Sequence, residues 1–330
     1  MTKNINTYLQ MLLVQQKVEL LSIALNFELF KALEEKEHSY ITLAKHMRSN
    51  KNNTKILLEG LDLLGLIKEE NNIYVNTKLS RTYFTAGKKN YCGDLFLHRK
   101  DLLSKANTML SSLILKENED NSNAKHPEVW AKAAKKNLKQ EQLNLISPIS
   151  LNIVKELKEF KHFKKMLDLG CSSGILSLEF VKNHPSMTAV CFDYKEVTTV
   201  VKTHIKEYDL ENRVSVISGD IEEDDIGKGY DFIWCSNIFY FIKDNKNLLK
   251  KIYDALNPKG VLITCHMEEQ NNTMDEASFF YFLFLNLQGK KSLKQEDLKK
   301  DFKDVGFKSI TTLRREDFPM TPNYIHIVRK

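Results

Sequence analysis

The sequence predicts an α/β protein, with a doubly wound parallel sheet in its C-terminal half and a mainly helical domain before it. From residue 164 onward, short apolar runs alternate with amphipathic stretches, which is typical of a parallel sheet covered by helices on both faces. Before residue 116, apolar residues recur at helical spacing instead. We therefore predict a helical domain over residues 1–115, a linker with a connecting helix over 116–150, and the sheet domain over 151–330.

Six apolar runs of strand length predict the sheet. They are Met166–Leu169, Thr188–Phe192, Val214–Ile217, Phe232–Cys235, Val261–Cys265 and Tyr324–Val328. The amphipathic stretches between them predict helices at Ile175–Lys182, Glu196–Tyr208, Asn245–Leu256 and Gln295–Asp304. The strongly apolar run Ala277–Leu287 is too short to cross a bilayer, so we expect a buried or pocket-lining helix there.

The N-terminal region predicts three short helices followed by a β-hairpin over Ile67–Val75, which is a winged-helix pattern. The third helix, predicted from a cap at Asn53 to Leu64, would be the DNA-reading helix of such a fold. It is strongly apolar and carries Glu59 and Asp62, whereas base-reading helices usually present Arg, Lys, Asn or Gln. We therefore expect a dimerisation or packing module rather than a DNA-binding one.

The composition is that of a globular protein, with 42% apolar and 28% charged residues among 330. A net charge of +6 is small for this length and gives little support to nucleic-acid binding. Five cysteines without a C-x-x-C pair argue against a disulfide framework and favour a reducing cytoplasm. The sequence contains no run of about 18 apolar residues that would span a membrane, and no His, Cys and carboxylate cluster that predicts a metal site.

A tight turn bracketed by two glycines follows the first predicted strand. The segment reads M-L-D-L-G-C-S-S-G, with Asp168 near the strand end and Gly170 and Gly174 around the turn. Glycine permits backbone conformations closed to other residues and a close approach to a ligand, and ligands of open α/β sheets bind at the carboxyl ends of the strands. The turn lacks the third glycine of the dinucleotide fingerprint and the G-K-[ST] of a phosphate-binding loop, which argues against an NAD-dependent oxidoreductase.

Two further carboxylates follow the next two strands. Asp193 ends the second strand, where carboxylates accept hydrogen bonds from ribose hydroxyls in nucleoside-binding α/β folds. Asp220 follows the third strand and could accept the exocyclic amine of adenine. Asp168, just before the glycines, would repel a phosphate but suits a cationic amine or sulfonium. Acids after three successive strands therefore predict a nucleoside ligand that carries positive charge.

These motifs resemble those of the class I methyltransferases that use S-adenosylmethionine, and more narrowly the small-molecule O-methyltransferases that include the caffeic acid and hydroxyindole enzymes. The resemblance covers nearly the whole chain. It rests on L-D-L-L-G-L-I at 61–67, D-L-G-C-S-S-G at 168–174, F-D at 192–193, G-D-I at 219–221, S-N-I-F-Y-F at 236–241, L-N-P-K-G at 256–260 and D-V-G-F at 304–307. It implies a seven-stranded methyltransferase sheet with an N-terminal winged-helix dimerisation domain, and a homodimer whose N-terminal domains swap or interlock.

The resemblance also implies which residues bind S-adenosylmethionine. The cofactor-binding residues would be Gly170 and Gly174, beside Asp168, for the methionine part, Asp193 for ribose, Asp220 and Ile221 for adenine, and Ser236 as a further contact. The segment Phe279–Leu287 would line the pocket of a small-molecule acceptor.

The sequence departs from the family at the general base. The family has a His after the fourth strand, and Tyr240 stands at that position. A phenol with a pKa of about 10 is a poor base at neutral pH. His266, after the fifth strand, could take the proton instead, because imidazole titrates at about pH 6.5. We therefore predict Tyr240 and His266 as the catalytic candidates, and an acceptor that either His266 assists or that, as a thiol or acidic phenol, ionises without help.

The function favoured by these residues is transfer of a methyl group from S-adenosylmethionine to a hydroxyl or thiol of a small molecule. The aromatic residues between Phe279 and Phe284 favour an aromatic acceptor. The alternative is a non-catalytic S-adenosylmethionine-binding or DNA-binding regulator on the same fold, which Tyr240 would explain. The intact carboxylates argue against that alternative, because a protein that has lost catalysis need not keep them.

Overall fold

The computed structural model describes residues 4–115, 126–271, 273–289, 292–319 and 322–330. By its internal contacts the chain divides into two compact units, Met1–Leu102 and Leu103–Lys330. Most of the polar stretch 116–128, which the sequence predicts as a loop or linker, lies outside the described residues. None of the described helices is both long enough and apolar enough to cross a membrane.

The first unit is built from helices and one hairpin. Its elements are α1 (Ile5–Asn26), α2 (Leu29–Glu35), α3 (Tyr40–Met47), α4 (Lys51–Leu63), β1 (Ile67–Glu70), β2 (Ile73–Asn76), α5 (Lys78–Tyr83) and the start of α6 (Gly93–Leu115). Helix α4 begins earlier than predicted, because the side chain of Asn50, rather than Asn53, accepts the backbone N–H groups of the first turn. The predicted hairpin is present, and Asn71 and Asn72 form its two-residue turn with φ of 52° and 62°.

The second unit starts within α6, contains a further helical segment and continues as a strand–helix alternation. The helical segment contains α7 (Pro127–Lys135), α8 (Asn137–Glu141), a π-helical turn (Gln142–Ile146) and α9 (Ser147–Lys155). The elements that follow are β3 (Lys165–Leu169), α10 (Ile175–Lys182), β4 (Thr188–Asp193), α11 (Lys195–Glu207), β5 (Val214–Ser218), β6 (Tyr230–Ser236), α12 (Asn245–Ala255), β7 (Leu256–His266), α13 (Glu276–Leu287), α14 (Gln295–Val305), β8 (Ser309–Arg315) and β9 (Asn323–Arg329).

The seven strands form one sheet in the order β5-β4-β3-β6-β7-β9-β8, which confirms the predicted doubly wound α/β fold. Strands β3 to β7 run parallel, and β9 is antiparallel to both of its neighbours. The seventh strand, β8, was not among the six apolar runs because its sequence S-I-T-T-L-R-R is only half-buried at the sheet edge.

The order of the strands fixes where a ligand can bind. From β3 the chain moves to β4 and β5 on one side, and then returns to β6 and β7 on the other. The strand order therefore reverses between β3 and β6, and ligands of open α/β sheets bind at the carboxyl ends of the strands on either side of such a point. The faces of the sheet are covered by two hydrophobic cores, one around Phe180, Phe232 and Trp234 and the other around Phe239 and Phe282.

Candidate functional site

The loop after β3 has three residues in the left-handed region of backbone space. Gly170, Ser172 and Gly174 have φ of 75°, 53° and 72°. The backbone N–H groups of Gly170 and Cys171 both donate to the carbonyl oxygen of Phe192, at 2.9 and 3.1 Å. The turn is thus fastened to the end of the neighbouring strand β4.

Both glycines are required by packing as well as by conformation. A Cβ on Gly170 would lie 2.6 Å from Cγ2 of Ile238, and one on Gly174 would lie 2.7 Å from Cγ1 of Val201. Such distances are shorter than any carbon–carbon contact, so a side chain would displace the loop after β6 or helix α11. The glycines that the sequence assigned to close ligand approach therefore also let the protein pack closely around its own turn.

Asp193, at the end of β4, holds the same loop with its carboxylate. One oxygen accepts the backbone N–H of Ser172 at 2.8 Å, and the other accepts the backbone N–H of Tyr194 at 2.8 Å. The side chain is partly buried, and this burial raises the pKa of Asp193 to about 6, although the two hydrogen bonds act in the opposite direction. Each carboxylate oxygen retains a lone pair that a ligand hydroxyl can use.

Asp168 lies behind the loop on β3 and is only 3% exposed. Burial raises its pKa to about 7, and the charge of Asp193 raises it further, while the hydroxyl of Ser177, which donates to Oδ2 at 2.6 Å, lowers it. Two carboxyl groups whose pKa is raised by burial therefore lie near the glycine turn. Each would be stabilised as an anion by a nearby cation.

The remaining predicted residues follow the adjacent strands. Asp220 is partly buried just beyond β5, where its Oδ1 accepts the backbone N–H of Glu222 at 2.9 Å. Ile221 is half-buried against the core, and Ser236 is half-buried at the end of β6. The structure thus brings the predicted cofactor residues to the same edge of four adjacent strands, β5, β4, β3 and β6.

This edge fits a nucleoside with a positively charged substituent. Carboxylates at the ends of β3 and β4 can accept hydroxyl donors and attract a cation, and Asp220 adds an acceptor after β5. Within the described residues, the buried hydroxyl oxygen of Ser172 has no hydrogen-bond partner, which leaves a polar atom in the loop for a ligand.

Tyr240 follows β6 and is buried, and its hydroxyl is engaged by the backbone. It donates to the carbonyl oxygen of Met267 at 2.9 Å and accepts the N–H of Met267 at 2.5 Å. Burial raises the pKa of Tyr240 well above its usual value. The catalytic role predicted for Tyr240 does not fit this geometry, because the oxygen is directed into the protein and resists ionisation.

His266 ends β7 and has no exposed surface. Its ring stacks on Phe239 at a centroid distance of 4.6 Å, and its Nε2 lies 3.3 and 3.4 Å from the backbone nitrogens of Ile238 and Phe239, whose N–H groups it accepts. Burial lowers the pKa of His266 well below its usual value, and the charge of His326 lowers it further. The role of general base does not fit this arrangement, because the accepting nitrogen already serves the loop after β6.

The expected acceptor segment is helix α13, which contributes both buried and exposed rings. Phe282 is 2% exposed and contacts Tyr240 at a centroid distance of 4.7 Å, whereas Phe279 and Phe280 are about half exposed. A second aromatic pair lies beside the loop after β6, where Trp130 of α7 meets Phe241 edge to face at 5.6 Å. The sequence had not singled out Trp130.

Three further polar side chains were missed because their partners lie in other elements. Ser177 supports Asp168, His204 of α11 contacts the carbonyl oxygen of Ser173 through Nδ1 at 2.8 Å, and Gln142 reaches the same loop from the π-helical turn. Ser177 and His204 lie on predicted amphipathic helices, but no pattern in the sequence indicates what they contact.

Residues 125–308, more than half of the chain, match the family described as the O-methyltransferase domain. The chain belongs to this family. This membership agrees with the resemblance that the sequence motifs indicate. The glycine turn and the strand-end acids of that resemblance lie at one edge of the sheet.

The sequence identity between this chain and individual relatives is low. An uncharacterized protein of Methanocaldococcus jannaschii is 32% identical over 170 residues, which are 48% of this chain and 45% of that protein. The alignments span between 31% and 52% of the length of the first four curated relatives. Des-methyl DIF-1 methyltransferase A of Dictyostelium discoideum is 24% identical over 322 residues, 90% of this chain and 86% of the relative. The solved structure of human N-acetylserotonin methyltransferase in complex with S-adenosylmethionine shares the fold, with a TM-score of 0.79 at 16% identity over 100% of this chain and 99% of the human one.

Proposed function

We propose that the protein transfers a methyl group from S-adenosylmethionine to a hydroxyl or thiol of a small molecule. The observation that carries this proposal is the glycine turn after β3, which is fastened to Asp193 at the point where the strand order reverses. Membership of the O-methyltransferase family supports the same reaction, as do relatives named for methyl transfer to small molecules.

In this proposal the residues at each strand end bind a different part of the cofactor. Asp193 accepts the ribose hydroxyls, and Asp220 with Ile221 flanks the adenine. Asp168 supplies negative charge near the sulfonium and the amino group of the methionine part, which the glycine turn and Ser236 border. A ligand cation offsets the desolvation that raises the pKa of Asp168 and Asp193.

We further propose that neither Tyr240 nor His266 removes a proton from the acceptor. Both support the loop after β6 through backbone hydrogen bonds. Methyl transfer from a sulfonium needs an in-line nucleophile within about 3–3.5 Å of the methyl carbon, and positioning alone supplies much of the rate. The acceptor is then a group that ionises readily, such as an acidic phenol or a thiol. The exposed rings of Phe279 and Phe280 favour an aromatic one.

The direct test combines binding with transfer. S-adenosylhomocysteine binding is measured by calorimetry, and methyl-labelled S-adenosylmethionine is then incubated with a panel of phenols and thiols over a range of acceptor pKa. We expect binding, and transfer that is best for the most acidic acceptors. Absence of binding would overturn the nucleoside site. Binding without transfer to any acceptor would favour the alternative of a non-catalytic regulator.

For the first unit we propose a winged-helix module that dimerises, in a protein of the reducing cytoplasm. The support is an exposed apolar surface on helix α1, formed by Ile5, Tyr8, Leu9, Met11, Leu12, Leu13 and Val14. Exposed Glu59 on α4 and Glu69 and Glu70 on the hairpin disfavour DNA as its partner. Light scattering on the purified chain should give twice the monomer mass, and Leu9→Glu with Leu12→Glu should reduce it to the monomer.

A further inference from the structure

Gln142 makes three hydrogen bonds to the glycine turn and the start of α10. Its Oε1 accepts the hydroxyl of Ser173 at 2.6 Å and the backbone N–H of Leu176 at 3.3 Å. Its Nε2 donates to the carbonyl oxygen of Cys171 at 3.1 Å. One amide side chain therefore contacts the turn on both sides of Ser172, the residue that Asp193 holds.

The bond to Leu176 supplies what the local sequence lacks. Helix α10 begins directly after Gly174, which has no side chain to accept the N–H groups of the first turn. Gln142 accepts one of these groups from a position more than 30 residues earlier in the chain. It thus acts as a cap for α10, the helix that begins directly after the glycine turn.

The backbone around Gln142 is also unusual. Residues Gln142–Ile146 form a π-helical turn between two α-helices. Such turns are rare, carry one extra residue, and occur frequently at functional sites, because the insertion redirects the side chains that follow the preceding helix. Here the turn begins at the residue whose side chain enters the glycine loop.

We propose that Gln142 is a positioning residue for the cofactor, delivered by the π-helical turn to hold Cys171–Leu176 in the conformation that receives the methionine part. This inference rests on the proposed function. The loop is then held between two side chains, Asp193 on the β4 side and Gln142 on the side of the helical segment α7–α9. His204 assists through the carbonyl oxygen of Ser173.

The test uses the full-length chain and S-adenosylhomocysteine as the probe. Gln142→Met keeps the size of the side chain but removes its polar atoms. We expect its Kd to rise about 5- to 30-fold, as for the loss of one to two net hydrogen bonds, with kcat changed much less than the KM for S-adenosylmethionine. Asn152→Ala, an exposed amide on α9, is the matched control and should leave both constants unchanged.

A double-mutant cycle separates positioning from general stability. Ser173→Ala removes one of the three bonds from the loop side, and we expect a smaller rise in Kd. Combined with Gln142→Met it should add little, because both changes remove the same bond. Gln142→Glu keeps the acceptor for Leu176 and Ser173 and should recover part of the affinity.

The outcomes distinguish this inference from the function on which it rests. If the unaltered protein does not bind S-adenosylhomocysteine, the proposed function fails. If it binds, and Gln142→Met binds equally well, the positioning role fails. Should Gln142→Met not fold, normal affinity of Ser173→Ala overturns the inference instead.

Discussion

The two halves of the sheet's carboxyl edge use polar side chains in opposite ways. After β3 and β4, Asp193 holds the glycine turn and Asp168 lies buried behind it, and burial raises the pKa of both carboxyl groups. After β6 and β7, Tyr240 and His266 are buried and bonded to backbone groups. A polar residue at a strand end can thus serve a ligand or the fold, and only its partner atoms distinguish the two.

The β6–β7 half has a second buried polar pair that extends the same contrast. His326 and Glu268 are fully buried, with Nε2 of the histidine 3.0 Å from both carboxylate oxygens. Thr312 and Gln295 complete the cluster at 2.9 and 3.2 Å. These four side chains satisfy one another, as buried polar groups generally must, whereas among the described residues Nδ1 of His266 and the hydroxyl of Thr264 in the same half have no hydrogen-bond partner. The β3–β4 half keeps acceptor capacity for something else.

The largest effect that we expect is the loss of stability of His266→Ala, which tests whether this residue serves the fold. The change leaves two backbone N–H groups without their acceptor and a cavity beside Phe239, so the free energy of unfolding should fall by about 2–4 kcal/mol. Urea denaturation measures it, with exposed His162→Ala as the control. A loss below about 1 kcal/mol, together with abolished turnover, would restore His266 as a catalytic base.

Asp193→Ala should weaken ligand binding, because this carboxylate both holds the glycine turn and, in our proposal, accepts the ribose hydroxyls. Removing the acceptor of ribose hydroxyls should weaken S-adenosylhomocysteine binding by about 1–3 kcal/mol, or roughly 5- to 150-fold in Kd. Calorimetry measures the affinity, and Glu196→Ala, exposed in the first turn of α11, controls for loss of charge. Unchanged affinity would contradict the ribose assignment.

Asp168→Asn tests the comparison through the pH dependence of the free energy of unfolding. In the folded state the pKa of Asp168 is raised to about 7, so between about pH 4 and 7 the folded protein binds a proton that the unfolded chain has lost. The stabilising contribution of this carboxyl group is therefore present at low pH and lost as the pH rises. The variant should gain about 1–2 kcal/mol relative to the unaltered protein between pH 6 and pH 8. Urea titrations at both values test this, and a constant difference would contradict it.

The smallest effect is expected for Tyr240→Phe. The buried N–H and carbonyl groups of Met267 lose one shared partner, which should cost about 1 kcal/mol of unfolding free energy. Methyl transfer and cofactor affinity should remain within a factor of about 3, because the hydroxyl faces the backbone. Tyr253→Phe, which alters a half-buried tyrosine on α12, is the control. A large loss of turnover without loss of stability would return Tyr240 to the catalytic machinery.

Much of the cofactor half could be predicted because its signals are local. A strand, a turn of small residues and a helix follow one another within 17 residues, and Ile175–Lys182 is both the predicted and the observed helix. The start of α4 and the strand β8 were harder. Asn50 and Asn53 are equally good caps by residue type, and the half-buried edge strand lacks the apolar run that marks the central strands.

The amino-acid sequence by itself determined the doubly wound sheet, the glycine turn and the acids that follow three successive strands, because alternating apolar runs and turn residues act over short distances along the chain. The tertiary structure alone decided that Tyr240 and His266 form hydrogen bonds with backbone groups, and that Gln142 forms hydrogen bonds with the glycine turn. Those outcomes depend on which donor or acceptor lies within about 3 Å, and such neighbours come from residues far apart in the chain.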